Sequence, residues 1–168
     1  MTLDSAEFRR ILGHYPTGVC AITSTANGMP VGMIVGSFTS VSLDPPLVAF
    51  FPGKDSTTWP KILASGRFCV NVLADNQHEV CRTLLSKSEA KFLSVSHRAS
   101  NAGLPILDDI VAWIDCDIRD VHEAGDHYIA VGEVHSLAIE TEHHPLLFFR
   151  GQYGEYSQSV AGGGVRAA

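Results

Sequence analysis

What the chain lacks narrows its function first. No window approaches the ~18 apolar residues needed to span a bilayer, and the opening stretch MTLDSAEFRR carries no apolar signal core. The four cysteines, Cys20, Cys69, Cys81 and Cys116, form no CxxC pair. Three of them sit in apolar runs, the pattern of core thiols in a reducing compartment. Basic residues are few and scattered, 12 against 18 acidic ones, for a formal net charge of -6. That balance argues against a surface for nucleic acid or anionic membrane. The expectation is a cytoplasmic protein with neither nucleic acid nor membrane as partner.

Motifs for several chemistries are missing as well. His122, His127, His135 and the pair His143-His144 form no HxxxH or HExxH arrangement, so no metal site is expected. No Ser-His-Asp or Cys-His constellation can be assembled from neighbouring motifs, which leaves nucleophilic hydrolysis unsupported. Nothing matches a Walker loop.

What is there is a 168-residue chain, 45% hydrophobic and 18% charged, enough for one folded domain. Asp4-Ser5-Ala6-Glu7 reads as a capping box for a helix with Phe8, Ile11, Leu12 and Tyr15 on one face. Strands are expected at Val19 to Thr25, Val31 to Leu43, Leu47 to Phe51, Arg67 to Leu73, Ile110 to Arg119, Tyr128 to Ile139 and Leu146 to Phe149. Asp44-Pro45-Pro46 forces a corner. Ser56 and Asp75 are the expected caps of two further helices. With strands dominant and connections short, the pattern predicts an antiparallel barrel with peripheral helices. Residues 1–156 read as that domain and 157–168 as a mobile Gly/Ala-rich tail.

Three segments carry candidate chemistry. In the strand from Val31 to Leu43, Gly32 and Gly36 share a face, ahead of a hydroxyl-rich run. Bare backbone there suits a flat ligand lying close, while a bulge with solvent-facing hydroxyls accounts for the same residues. Gly53-Lys54-Asp55-Ser56-Thr57-Thr58 at a helix start suits a phosphate; an ordinary capped helix fits equally. His127, after Gly125-Asp126, is placed to project from a rim, or to be a solvated residue of a plain hairpin turn.

Taken in order, six segments resemble the flavin reductase-like family, the small reductase components of two-component flavin-dependent monooxygenases. They are FRRILGHYPTGVCAITS, GMIVGSFTSVSLDPPLV, STTW, RFCVNVL, the GDH at 125–127 and PLLFFRGQY. The second is similar to the family's GMTxNSFxSVSLDPPLV, but has Ile34 and Gly36 where relatives often carry Thr and Asn, so two side-chain donors are missing.

The resemblance implies a split antiparallel β-barrel of the FMN-binding type, usually a homodimer. It implies hydride transfer from NADH, or NADPH, to FMN or FAD, and a transient partner, a separate monooxygenase. It places Met33, Ile34, Val35, Gly36, Ser37, Phe38, Ser40 and Ser42 beside the flavin ring, and Lys54, Ser56 and Thr57 at its phosphate. It carries Gly125, Asp126 and His127 toward the nicotinamide nucleotide, with His127 as the catalytic-site residue. On the same barrel, a flavin-binding sensor or carrier, or an oxidase holding its flavin tightly, are the alternatives.

Overall fold

A computed structural model describes residues 4–86, 88 and 90–158; residues 159–168 of the expected tail lie outside them. The first helix, α1 (Ser5–Leu12), starts where Asp4 Oδ1 accepts from the Ala6 amide at 3.0 Å. Glu7 does not close the capping box. It pairs with Arg10 one turn later, at 2.7 Å. The apolar face of α1 buries no residue.

The strands follow as β1 (Thr17–Gly18), β2 (Cys20–Ala26), β3 (Met29–Val35), β4 (Thr39–Leu43) and β5 (Pro46–Phe50). Asn27 and Gly28 both take positive φ, giving the two-residue turn that matches strand twist between β2 and β3. The Asp44–Pro45 peptide at the expected corner is cis. Then come α2 (Trp59–Ser65), β6 (Arg67–Val72), α3 (His78–Leu85), a 3-10 turn at Lys91–Leu93, β7 (His97–Ala99) and β8 (Pro105–Leu107). Two 13-residue strands, β9 (Ala112–Ala124) and β10 (His127–Ile139), form a long hairpin, followed by β11 (Leu146–Phe149) and β12 (Gln152–Glu155).

Seven strands make one antiparallel sheet in the order β3-β2-β6-β9-β10-β5-β4. Consecutive residues of its strands feed two cores, as the period of two requires. Cys20, Ile22, Phe68 and Val70 join Phe50, Trp59 and Ile62 in one; Ala21 and Cys69 join Leu84, Ile106 and Leu107 in the other. The protein is therefore mostly β, with few helices and antiparallel sheets.

Several expectations are corrected. The strand expected to run from Val31 to Leu43 is two strands, because the ladder with β2 ends at Val35 and pairing with β5 begins only at Thr39. Asp75 is not a helix cap: α3 starts at His78, and the Asp75 amide donates to His144 O at 2.8 Å. The loop-rich region gains the short β7–β8 pair, and β12 follows the strand expected to be last. Among the described residues, no helix is long and apolar enough to cross a membrane, and no group of three His, Cys, Asp or Glu is placed to hold a metal ion.

Candidate functional site

A cleft of about 820 Å³ opens where the end of β3 meets the tip of the β9–β10 hairpin. Met33, Ile34, Val35, Gly36 and Ser37 line one side, Gly53 and Ser56 a second, and His127 and Tyr128 a third. Gly36–Phe38 falls between β3 and β4, outside either strand. Ser37 Oγ accepts from the Phe51 amide at 3.0 Å, so its hydroxyl proton remains for a further partner.

The two strand glycines are not bare backbone. A Cβ on Gly32 would come within 3.0 Å of Phe92 Cζ, and one on Gly36 within 2.8 Å of Thr17 Oγ1. Both positions are filled from within the fold, which accounts for glycine there by close packing rather than by room for a ligand.

A second hollow, about 700 Å³, continues from the first and shares Met33, Ile34, Asp55 and Ser56 with it. Thr57, Thr58, Lys61 and Lys91 also line it. Ser56 Oγ accepts from the amides of Thr58 at 3.3 Å and Trp59 at 3.1 Å, a turn just ahead of α2, whose N-cap is Thr58 and not the expected Ser56. Lys91 Nζ donates to Leu84 O at 2.9 Å. Burial, and then the charge of Lys61, hold the Lys91 ammonium below its usual pKa.

The hairpin tip is tied to the 52–54 loop by main chain. The Lys54 amide donates to Asp126 O at 2.9 Å, and the Tyr128 amide to Pro52 O at 2.9 Å. The Lys54 side chain lines neither hollow. Its Nζ lies 2.8 Å from Glu123 Oε2 and 5.4 Å from the centre of the Tyr128 ring. Gly125 takes φ +64 in the turn, and Asp126 Oδ1 lies 2.7 Å from His127 Nδ1. That bond, with the imidazole's charge, keeps the Asp126 carboxyl below its ordinary range.

Of the residues expected at the site, Met33 to Ser37, Ser56 and His127 meet in the cleft, and Thr57 lines its continuation. Lys54, Gly125 and Asp126 line neither hollow. Nor does Phe38, which packs on the core of Phe50 and Phe68. Ser40 and Ser42 pair with β5 on the edge strand.

The profile of the family described as "Flavin reductase like domain" matches residues 12–157. The chain belongs to that family. A flavin reductase of Pseudomonas putida is 55% identical over 156 residues, covering 92% of each chain. The FMN reductase (NADH) SmoA of Agrobacterium fabrum is 36% identical, over 92% of this chain and 88% of its own. The crystal structure of nitrilotriacetate monooxygenase component B from Mycobacterium thermoresistibile superposes with a TM-score of 0.93 at 43% identity, covering 98% of this chain and 93% of that one.

Within this flavin reductase-like chain, the cations of the second hollow escaped sequence reasoning. Lys61 belongs to α2 and Lys91 to the 3-10 turn, 30 residues apart and outside any quoted motif. The one signal was Lys61 following Trp59-Pro60 directly after the STTW segment.

Proposed function

We propose that this chain is an NAD(P)H:flavin oxidoreductase, moving hydride from NADH or NADPH to FMN or FAD and handing reduced flavin to a separate monooxygenase. One observation carries the reading: a single cleft joins the signature residues Met33 to Ser37, the Ser56 loop and His127 from a distant hairpin. The cleft suits a flavin, since apolar Met33, Ile34 and Val35 adjoin a ladder-free stretch and a serine hydroxyl with its proton to spare. Bound flavin supplies the hydride-accepting chemistry, which the protein has only to position.

The chain's own groups divide the work. Met33, Ile34 and Val35 hold the flat face and exclude water, while Gly36 and Ser37 offer polar groups at its edge. With Ile34 and Gly36 replacing two hydroxyl- and amide-bearing residues common in relatives, edge contacts fall to the main chain and Ser37. Ser56 and Thr57, backed by Lys61 and Lys91, take the phosphate. Lys54, Gly125, Asp126, Phe38, Ser40 and Ser42 shape the frame. His127 orients the nicotinamide, and Asp126 fixes its imidazole through Nδ1, so positioning supplies the rate enhancement.

The decisive assay mixes purified protein with NADH or NADPH and excess FMN or FAD, and follows nicotinamide absorbance. Loss of absorbance with at least one pair is expected; none with any pair would sink the reading. His127→Ala is expected to raise the nicotinamide-nucleotide KM and leave the flavin KM unchanged. Unchanged nucleotide kinetics would remove His127 from the site.

The same reading includes a split barrel. β3 and β4 are opposite edges of the seven-stranded sheet, yet only Gly36–Phe38 separates them in the chain. A flat sheet would hold those edges about 29 Å apart at ~4.8 Å per strand, whereas the four steps from Val35 to Thr39 reach at most about 14 Å. Curling of the sheet resolves the mismatch. We also infer a single domain through residue 156 and a homodimer. Phe8, Ile11 and Leu12 on α1 and Tyr15 just beyond it, between 49% and 75% exposed, form an apolar stripe that a second copy would cover. Sedimentation at micromolar concentration tests the dimer, and a monomer there refutes it. A cytoplasmic location fits the four free, buried cysteines.

A further inference from the structure

The groove does not end at the lysines. A third hollow, about 550 Å³, opens at the β2–β3 turn and shares Pro30, Val31 and Lys61 with the second. The three hollows follow β3 in order. The first touches Met33 to Val35, the second Pro30 to Ile34, the third Met29 to Val31. Seven extended residues make that track about 20 Å long.

The third hollow differs in chemistry from the second. Met29 and Leu93, 64% and 87% exposed, present apolar surface to water, beside Phe92. His97 stands edge-on to Phe92, with ring centroids 5.4 Å apart. Its Nδ1 bonds Val95 O at 2.8 Å, which leaves Nε2 to meet the polar edge of a ligand. Asn27 adds a side-chain amide at the rim. An apolar hollow with a few polar groups at its margin suits a flat heteroaromatic base. The junction with the second hollow is marked by Lys61, and Lys91 stands in the second hollow beyond it.

Resting on the flavin reading above, we propose that this chain is built for the dinucleotide flavin: the FAD pyrophosphate crosses the Lys61–Lys91 region and its adenosine occupies the hollow of Met29, Phe92, Leu93 and His97. FMN stops at its phosphate and leaves Met29 and Leu93 in water. The apolar contact made by the adenosine is therefore a gain available to FAD alone. An adenosine also occurs in NADH. Its nicotinamide, however, must lie at the His127 end of the track, with the flavin between it and the third hollow. FAD reaches that hollow along the groove without crossing another ligand.

The test measures dissociation constants of FAD and FMN on the full chain by fluorescence quenching, with far-UV circular dichroism as the check on folding. FAD is expected to bind at least about tenfold more tightly than FMN, a gap of 1.4 kcal/mol. Leu93→Asp and Met29→Asp, both at exposed positions, should each weaken FAD and leave FMN and the NADH KM where they were. Equal binding of the two flavins by the native chain overturns the proposal. So does a rise in the NADH KM with FAD unaffected, which would assign the hollow to the nicotinamide nucleotide. Binding of neither flavin would overturn the flavin reading itself, and the dinucleotide proposal with it.

Discussion

Replacing Gly132 with alanine tests how tightly the sheet closes on its aromatic core. A Cβ at that position would stand 2.4 Å from Phe68 Cζ, 2.8 Å from Cε1 and 3.0 Å from Cys116 Cβ. An ordinary contact begins at 3.4 Å, so the ring has to retreat by about 1 Å. It has little room, being fully buried and set edge-on to Phe50 at 5.0 Å, which in turn meets Trp59 at 5.6 Å. Overpacking of this kind costs about 2 kcal/mol. For a domain of this size that lowers Tm by roughly 4–8 °C. The assay is urea and thermal denaturation of Gly132→Ala, Phe68→Leu and the double variant. Because leucine vacates the space the methyl needs, the double variant should be more stable than the sum of the single effects by about 1 kcal/mol. A Gly132→Ala protein within about 0.5 kcal/mol of the native chain would refute the reasoning, and so would simple additivity.

Three other outcomes follow from buried or paired groups. Burial pushes the Cys20 and Cys116 thiols up to about 12, with Cys69 and Cys81 also raised. Since the unfolded thiols ionise near ~8.5, this stability is complete below that pH and is lost as pH rises toward the folded values. Alkaline denaturation curves should show the loss, and a thiol reagent at pH 8 should leave all four native thiols unmodified. Lys54→Met and Glu123→Gln should leave the flavin KM unchanged, with the double variant no worse than either single one; a higher flavin KM in Lys54→Met alone would return Lys54 to the phosphate. Asn71→Ala, which strands the Leu107 amide now donating to Asn71 Oδ1 at 2.8 Å, should cost about 1–3 kcal/mol in denaturant titration; a neutral effect would show that water replaces it.

Much of the frame was legible in the sequence, because alternation and turn residues act locally. Ile114 to Arg119 alternates apolar with charged residues, and Asn27-Gly28 specifies its own turn. The interruption at Gly36–Phe38 was not legible. Gly36 allowed for a bulge, but the change of partner from β2 to β5 across it depends on segments remote in sequence. The same distance in sequence hid the partners of two expected site residues. Glu123, which pairs with Lys54, lies 69 residues on, and Phe92, which fills the space over Gly32, lies 60 residues on. Motif order located the cleft; contacts between remote segments decided which motif residues line it. The short β7, β8 and β12 carry too few residues for a period to register.

The two stitches between the 52–54 loop and the hairpin are made by main-chain atoms alone. Side-chain identity at Lys54 and Tyr128 is therefore free to drift without cutting them, proline excepted because it has no amide to donate. Length is not free. An inserted or deleted residue in either segment shifts the register of both, and carries Ser56 and His127 out of reach of one another. The cleft thus tolerates substitution at its seam and resists insertions, so relatives that differ in loop length there would have to rebuild both walls together.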